Sequence, residues 1–374
     1  MTIDQLTDDS KAILLLCGMF GGKNGESSVK PLTLKEYNVL VQWLIDRKLR
    51  PGMLLRENGR NVLVSANDLN LDNVRIEALL DRGAALAFAT EKWLNKGLWV
   101  ISRSDKAYPQ VFRDKLKLSA PPFLFGAGDA DLLNKGGLAV VGSRDIDDEA
   151  CKFTRYIAKT CARQNMQIIS GGARGADQES MMAALHEGGT AAGVLADGLL
   201  KAAVSGKYRQ PLRDGTLVLV SPYNPESRFN VGNAMERNKY IYALANYSLV
   251  ISTAYNKGGT WSGAIEELRK DAGIPVFVRT EGNIPDGNKQ LLKKGAKSFP
   301  ESPWDRPLCE IMAEAGETVM EPEQLDLVLS DKPRPVRKVS EDKAEYKPES
   351  ASSHEQELPL EPGSNISNGR GGEI

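Results

Sequence analysis

Residues 166–177 read MQIISGGARGAD: a short apolar run, a glycine-rich turn holding one arginine, and the start of a helical stretch. An apolar run this short, without polar alternation, suits a strand covered on both faces. The same strand–turn–helix unit recurs on either side. Strands are expected at 138–141, 166–170, 191–195, 217–221, 249–252 and 275–278. Helices are expected between them. One carries Phe153, Ile157, Ala158 and Cys161 on one face, and others cover roughly 176–186, 234–245 and 262–272. This alternation predicts an α/β fold with a doubly wound, mostly parallel sheet. Right-handed crossovers then place the loops that follow the strands along one edge, where ligands bind.

Outward from this region the pattern changes. Residues 1–97 read as a small helical N-terminal domain. Thr33 to Glu36 has the form of a capping box, and Tyr37, Leu40, Val41, Leu44 and Ile45 follow at helical spacing. A second helix is expected over 74–80 and a third ending near Asn95, with Gly97 as its stop. A packing or interaction role suits this part, which shows nothing catalytic. Residues 98–330 form the α/β domain, closed by a short helix near 308–315. From 331 to 374 the chain is rich in Pro, Ser, Glu and Lys and reads as a disordered tail.

Across 374 residues the net charge is −1, so a polyanion partner needs a local basic patch. Cys17, Cys151, Cys161 and Cys309 show neither CxxC pairing nor metal-ligand spacing, which suits a reducing compartment. No secretory start and no apolar run of about 18 residues occurs. A cytoplasmic location without membrane association is expected, with no metal and no cofactor.

Four turns along the expected ligand edge combine glycine, small hydroxyls and a basic residue. They are Gly142, Ser143 and Arg144; Ser170, Gly171, Gly172, Arg174 and Gly175; Arg237, Asn238 and Lys239 near Gly232; and Gly259, Thr260 and Ser262 after Lys257. Glycine lets backbone N–H groups approach an anion. A helix start adds free donors and a positive dipole end, and arginine adds a two-pronged donor set for phosphate. The bland alternative for any one of them is a tight turn with a solvated arginine. A row of four suits a phosphate polymer or a nucleotide with several anionic groups. Neither the G-x-G-x-x-G fingerprint nor the Walker pattern is in place, which argues against simple NAD or ATP binding. Tyr223, Phe229 and Trp261 are candidates to stack a base, against the alternative of core packing.

Signs of catalysis are few. His354 falls in the tail, and His186 suits a cation at a helix end. Asp177, in the first turn of a helix, suits a capping residue more than an acid or base. No nucleophile elbow or zinc spacing occurs, and no catalytic residue is expected.

On these residues the stretch 98–297 resembles the Rossmann-like domain of the DNA-processing A (DprA/Smf) family. VVGSRD at 140–145 matches its "VGSR" strand end, and SGGARGAD at 170–177 resembles its "SGLARGID". AAGVLADGL at 191–199 is similar to "AVLGCGLD", and Glu236-Arg237-Asn238 sits where the family has "FPxRNR". Tyr108-Pro109, then Pro121 to Phe125 and Gly128, resemble the family's approach to the first strand, and Gly287-Asn288 to Gly295-Ala296 its ending. The resemblance implies a homodimer that binds single-stranded DNA, serves a RecA-type recombinase and natural transformation, and is not an enzyme. The implied contacts are Ser143, Arg144, Ser170, Gly171, Arg174, Gly175, Arg237, Asn238, Thr260 and Ser262. The chain departs from the pattern at Lys239, where the family has Arg, and at GGTWSGA (258–264) in place of "SGSLITA". The polar tail stands where a winged-helix domain follows in the family. A rival resemblance is to LOG-type nucleoside-monophosphate phosphoribohydrolases. It would use Gly258-Gly259-Thr260 with Glu266 or Glu267, and Met235 with Arg237.

Overall fold

The computed structural model describes residues 6–20, 29–66 and 68–317; the expected tail and His354 lie outside them. Five helices come first: α1 (Asp8–Cys17), α2 (Leu34–Asp46), α3 (Glu57–Val64), α4 (Asn73–Leu80) and α5 (Gly83–Leu94). The capping box of α2 is formed, with Thr33 and Glu36 satisfying each other's backbone N–H groups. Gly97 ends the helical region at φ +73.

The α/β part begins with β1 (Trp99–Ser102), α6 (Gln110–Leu116) and β2 (Phe123–Gly128). It continues through β3 (Leu138–Val141), α7 (Asp148–Arg163), β4 (Ile168–Ser170), α8 (Ala176–His186), β5 (Ala191–Val194), α9 (Leu199–Ala203), α10 (Gly206–Arg213) and β6 (Leu217–Ser221). Then come α11 (Val231–Leu244), β7 (Tyr247–Val250), α12 (Gly258–Leu268), β8 (Val276–Val278), α13 (Asp286–Lys293), β9 (Lys297–Ser298) and α14 (Leu308–Glu317).

The strands form one sheet in the order β1-β2-β6-β5-β4-β3-β7-β8-β9. From β6 to β9 every pairing is parallel, while β1–β2 and β2–β6 are antiparallel. The chain winds outward from β3 to β6, returns to β7 beside β3, and winds the other way to β9. This is the doubly wound arrangement, with its switch point between β3 and β7.

The continuous apolar runs divide by strand alternation into two cores. Leu138, Val140, Ile168, Ala191, Leu217, Leu219, Leu249 and Phe277 face one side, where Ile157, Cys161, Met181 and the α1–α5 side chains pack. Ala139, Val141, Ile169, Ala192, Val218, Val220, Val250 and Val278 face the other, under Phe112, Tyr240, Ile241, Trp261 and Leu291. Helix α1 is tied to β1 by hydrogen bonds from Ser10 to Ser102 and Asp105.

Two differences from the sequence reading have local causes. Strands β1 and β2 were not expected, because their pairing is long-range: Trp99 lies across from Gly126, where any Cβ would strike the indole. Strand β7 begins two residues before the expected 249. Tyr247 is already in register with Leu138, and by Ser252 the chain has turned to receive the Ser143 N–H.

Candidate nucleic-acid interface

Turns follow β3 and β4 as expected, but Arg237, Asn238 and Lys239 lie within α11 rather than before it. Gly259, Thr260 and Ser262 lie in the first turns of α12, which starts four residues before the expected 262. The residues after β3, β4 and β7 interlock at the switch point. Ser143 N–H donates to the Ser252 carbonyl at 2.9 Å, and Thr260 Oγ1 donates to the Gly142 carbonyl at 3.2 Å. Ala176 N–H donates to the Ser143 carbonyl at 3.3 Å. Glycine is required sterically here. A Cβ on Gly142 would lie 2.6 Å from Ala176 Cβ, and Gly175, at φ +87, sits against the Ser143 carbonyl.

Behind these turns is a buried strut. Asp177, in the first turn of α8, is 6% exposed, and Arg237 of α11 equally so. Arg237 Nη1 donates to the Val194 carbonyl at 3.0 Å and lies 3.8 Å from Asp177 Oδ2. It occupies the space beside Gly171, where a Cβ would overlap the guanidinium. The backbone N–H groups of Gly142, Ala173 and Gly171 also face the Asp177 carboxylate and favour its charged form. Burial raises the Asp177 carboxyl above the ordinary carboxylate range, and Arg237 with the three N–H groups opposes that rise.

Other expected contact residues are likewise committed to the fold. Ser170 is fully buried and donates to the Val140 carbonyl at 2.6 Å. Asn238 Nδ2 donates to the Gly259 carbonyl at 2.8 Å, tying α11 to α12. Lys239 is half-buried, with Nζ 2.9 Å from Glu236 and above the Tyr240 ring. Ser170, Arg237, Asn238 and Lys239 thus support the edge, whereas Ser143, Gly172, Gly175, Gly259, Thr260 and Ser262 remain partly accessible on it. The first turn of α12 has no side-chain cap, which leaves its N–H end open.

Arg144 and Arg174 are exposed. Arg144 lies over the Phe229 ring, 4.5 Å from its centroid, and Arg174 pairs with exposed Asp145. Phe229 is 48% exposed, so of the three aromatic candidates it stands free. Trp261 is buried against Tyr255, and the Tyr223 hydroxyl is engaged by the Asn233 carbonyl and Glu236.

Of these groups, Arg144, Gly171, Gly172, Arg174, Phe229 and Arg237 line a cavity of about 600 Å³ at the C-terminal ends of β4 and β5, while the α12 residues do not. Its lining adds Lys201 of α9 and Lys207 and Tyr208 of α10, none of which was anticipated. The loop after β5 shares the ligand edge with the others. Its signal was the basic spacing from Lys201 to Lys207 beside Asp197-Gly198, which lacks the clustered glycines of the other turns.

Glu267 accepts the Ile274 N–H at 2.9 Å and Lys270 Nζ at 2.6 Å, so it closes the far end of α12. His186 lies in the last turn of α8. Among the described residues there is no cluster of His, Cys, Asp and Glu that could hold a metal ion, and no helix long and apolar enough to cross a membrane.

The model of the family described as DNA recombination-mediator protein A matches residues 99–304, just over half of the chain. The chain belongs to this family. The DNA processing protein DprA of Bacillus subtilis is 28% identical over 274 residues, covering 68% of this chain and 89% of that protein. The DprA of Streptococcus pneumoniae is 30% identical over 181 residues, 48% of this chain, and the match spans 63% of that relative. The Smf protein of Escherichia coli is 30% identical over 180 residues, 47% of this chain and 48% of its own length. The X-ray structure of the Streptococcus pneumoniae protein superposes with a TM-score of 0.58 at 21% identity, covering 79% of this chain and 95% of that one. The Rossmann-like fold is thereby shared with this family.

Proposed function

We propose that the chain binds single-stranded DNA through the switch-point edge as a DNA-processing protein of this family, without turnover. Its expected setting is the cytoplasm, as a homodimer that supports loading of a RecA-type recombinase. The helical residues 1–97 serve as a docking module beside the binding domain. The supporting observation is that exposed Arg144, Arg174, Lys201 and Lys207 border one cavity beside an exposed Phe229. Cations of this kind hold backbone phosphates without reading sequence. An aromatic face beside them suits an unpaired base, since every base has a stacking surface. A duplex keeps its bases stacked and would have to extrude one.

The test is a salt titration of binding to a short oligonucleotide. Affinity should fall steeply with salt, with a log–log slope of about −0.7 for each phosphate held. Arg144→Ala should bind about tenfold more weakly, with a shallower slope. Equal affinities and slopes for the two proteins would remove the proposal.

A further inference from the structure

Most exposed arginines of this chain are matched with acids. Arg47, Arg50 and Arg56 of the helical part each face an aspartate, and Arg155 and Arg163 of α7 face Glu179 and Glu187. Such pairs add little stability, but each cancels a charge, so the field at the surface comes from the arginines left over. Among the described residues, Arg144, Arg209, Arg213, Arg228 and Arg269 are exposed and have no ion pair. Arg269 stands apart at the far end of α12. The others gather around the cavity and α10. Arg144 lines the cavity. Arg228 precedes Phe229 in a loop bound to the start of α9, where the Gly198 and Leu200 N–H groups donate to the Ser227 and Pro225 carbonyls. Arg209 and Arg213 lie on α10, whose Lys207 and Tyr208 line the cavity.

Helix α10 carries this charge away from the ligand edge. It begins at the cavity, and Leu212 near its end lies beside Gly128, level with the start of β6 at the opposite edge of the sheet. Its eight residues span about 12 Å. Tyr208 and Leu212 turn inward to the core, so Arg209 and Arg213, one turn apart, share an outer flank. On the other side of Arg144 the sign reverses. Asp145, Asp147, Asp148 and Glu149 are exposed around the start of α7, and beyond them the surface of α7 and α8 is closed by the ion pairs of Arg155 and Arg163. The edge is therefore graded, acidic at α7 and basic from the cavity to the end of α10.

We propose that the strand leaves the cavity along α10, where Arg209 and Arg213 hold two phosphates beyond it. The acidic start of α7 disfavours exit the opposite way. This rests on the reading of the chain as a single-strand binder. The one aromatic residue of α10, Tyr208, is buried, so this flank offers charge without a stacking face, and its contacts are independent of the base.

Thymidine oligomers of about six and about twenty nucleotides separate the two segments, because a single-strand site holds several nucleotides. Each is titrated at several salt concentrations against the wild type, Arg144→Ala, the double variant Arg209→Gln/Arg213→Gln, and Arg269→Gln as a control for lost charge elsewhere. The wild type should bind the long oligomer more tightly than the short one. The double variant should bind the long oligomer about tenfold more weakly, with a log–log salt slope shallower by about 1.4 for two phosphates, and the short oligomer as the wild type does. Its melting temperature should be unchanged, since both side chains are exposed. Arg144→Ala should weaken both oligomers, and Arg269→Gln neither. The track along α10 is overturned if the double variant binds the long oligomer as the wild type does, weakens both oligomers equally, or loses no more than Arg269→Gln. In each of these cases a loss in Arg144→Ala leaves the single-strand reading standing. If the wild type binds neither oligomer, that reading fails and takes this proposal with it.

Discussion

Arg237 and Arg144 come from similar-looking motifs on one sheet edge, yet they do different work. Arg237 lies under the Gly171 turn, opposite Asp177 and bonded to the end of β5. Arg144 lies on the surface, its guanidinium resting on Phe229. The inner layer sets the shape of the turns and the outer layer presents charge. The comparison teaches that a glycine–arginine turn can be saturated by its own fold. Here Arg237 is taken up by Asp177 and the Val194 carbonyl, so the arginines left exposed on the edge are Arg144 and Arg174.

The sharpest way to break this division is at the inner layer. Asp177→Ala leaves a buried guanidinium without its carboxylate and should destabilise the fold by about 3–5 kcal/mol in denaturant titration. Pairing that change with Arg237→Met should recover part of the loss, because no uncompensated buried charge remains. A double variant whose loss equals the sum of the singles would show that the strut is not a unit.

At the outer layer the effects should fall on binding. Arg144→Ala should change stability by less than about 0.5 kcal/mol while weakening oligonucleotide affinity as described above. Asp145→Asn removes the carboxylate that Arg174 now faces, and should raise affinity about two- to fivefold at low salt. No gain on Asp145→Asn would mean that Arg174 takes no part in binding.

The smallest effect lies far from the edge, in the α2 capping box. The Arg75 hydrogen bond, with that of the Thr33 backbone, lowers the Glu36 carboxyl to about 2 from its ordinary 4.5. A carboxyl lowered on folding stabilises the protein above its unfolded value, and that contribution is lost as pH falls from about 4.5 toward 2. Glu36→Gln should therefore melt lower than the wild type at neutral pH, by less than about 1 kcal/mol because solvent screens the pair. The gap should close on acidification; a pH-independent gap would place the effect in packing instead.

Much of the fold was legible because it depends on local patterns. The runs at 138–141, 191–194 and 217–221 are too short and too apolar for anything but covered strands, and 176–186 starts and stops as a helix where the glycine turn and the Glu187-Gly188 end require it. The antiparallel extension by β1 and β2 was hidden, since neither run has a meaning until Trp99 finds Gly126. Phe229 and Trp261 read alike in the sequence as stacking candidates, yet Phe229 is exposed and Trp261 is buried. Exposure of a single aromatic depends on what the rest of the chain lays over it.

The sequence by itself determined the strand–turn–helix rhythm, the edge on which the glycine-rich turns gather and the family to which their motifs point, because strand length, glycine and helix caps act over a few residues. Only the tertiary structure decided which arginine is exposed on that edge and which braces the fold. It also brought Lys201, Lys207 and Tyr208 to the same cavity as Arg144. Burial, and the choice of partner for a charge, are set by elements distant along the chain, and no local pattern encodes them.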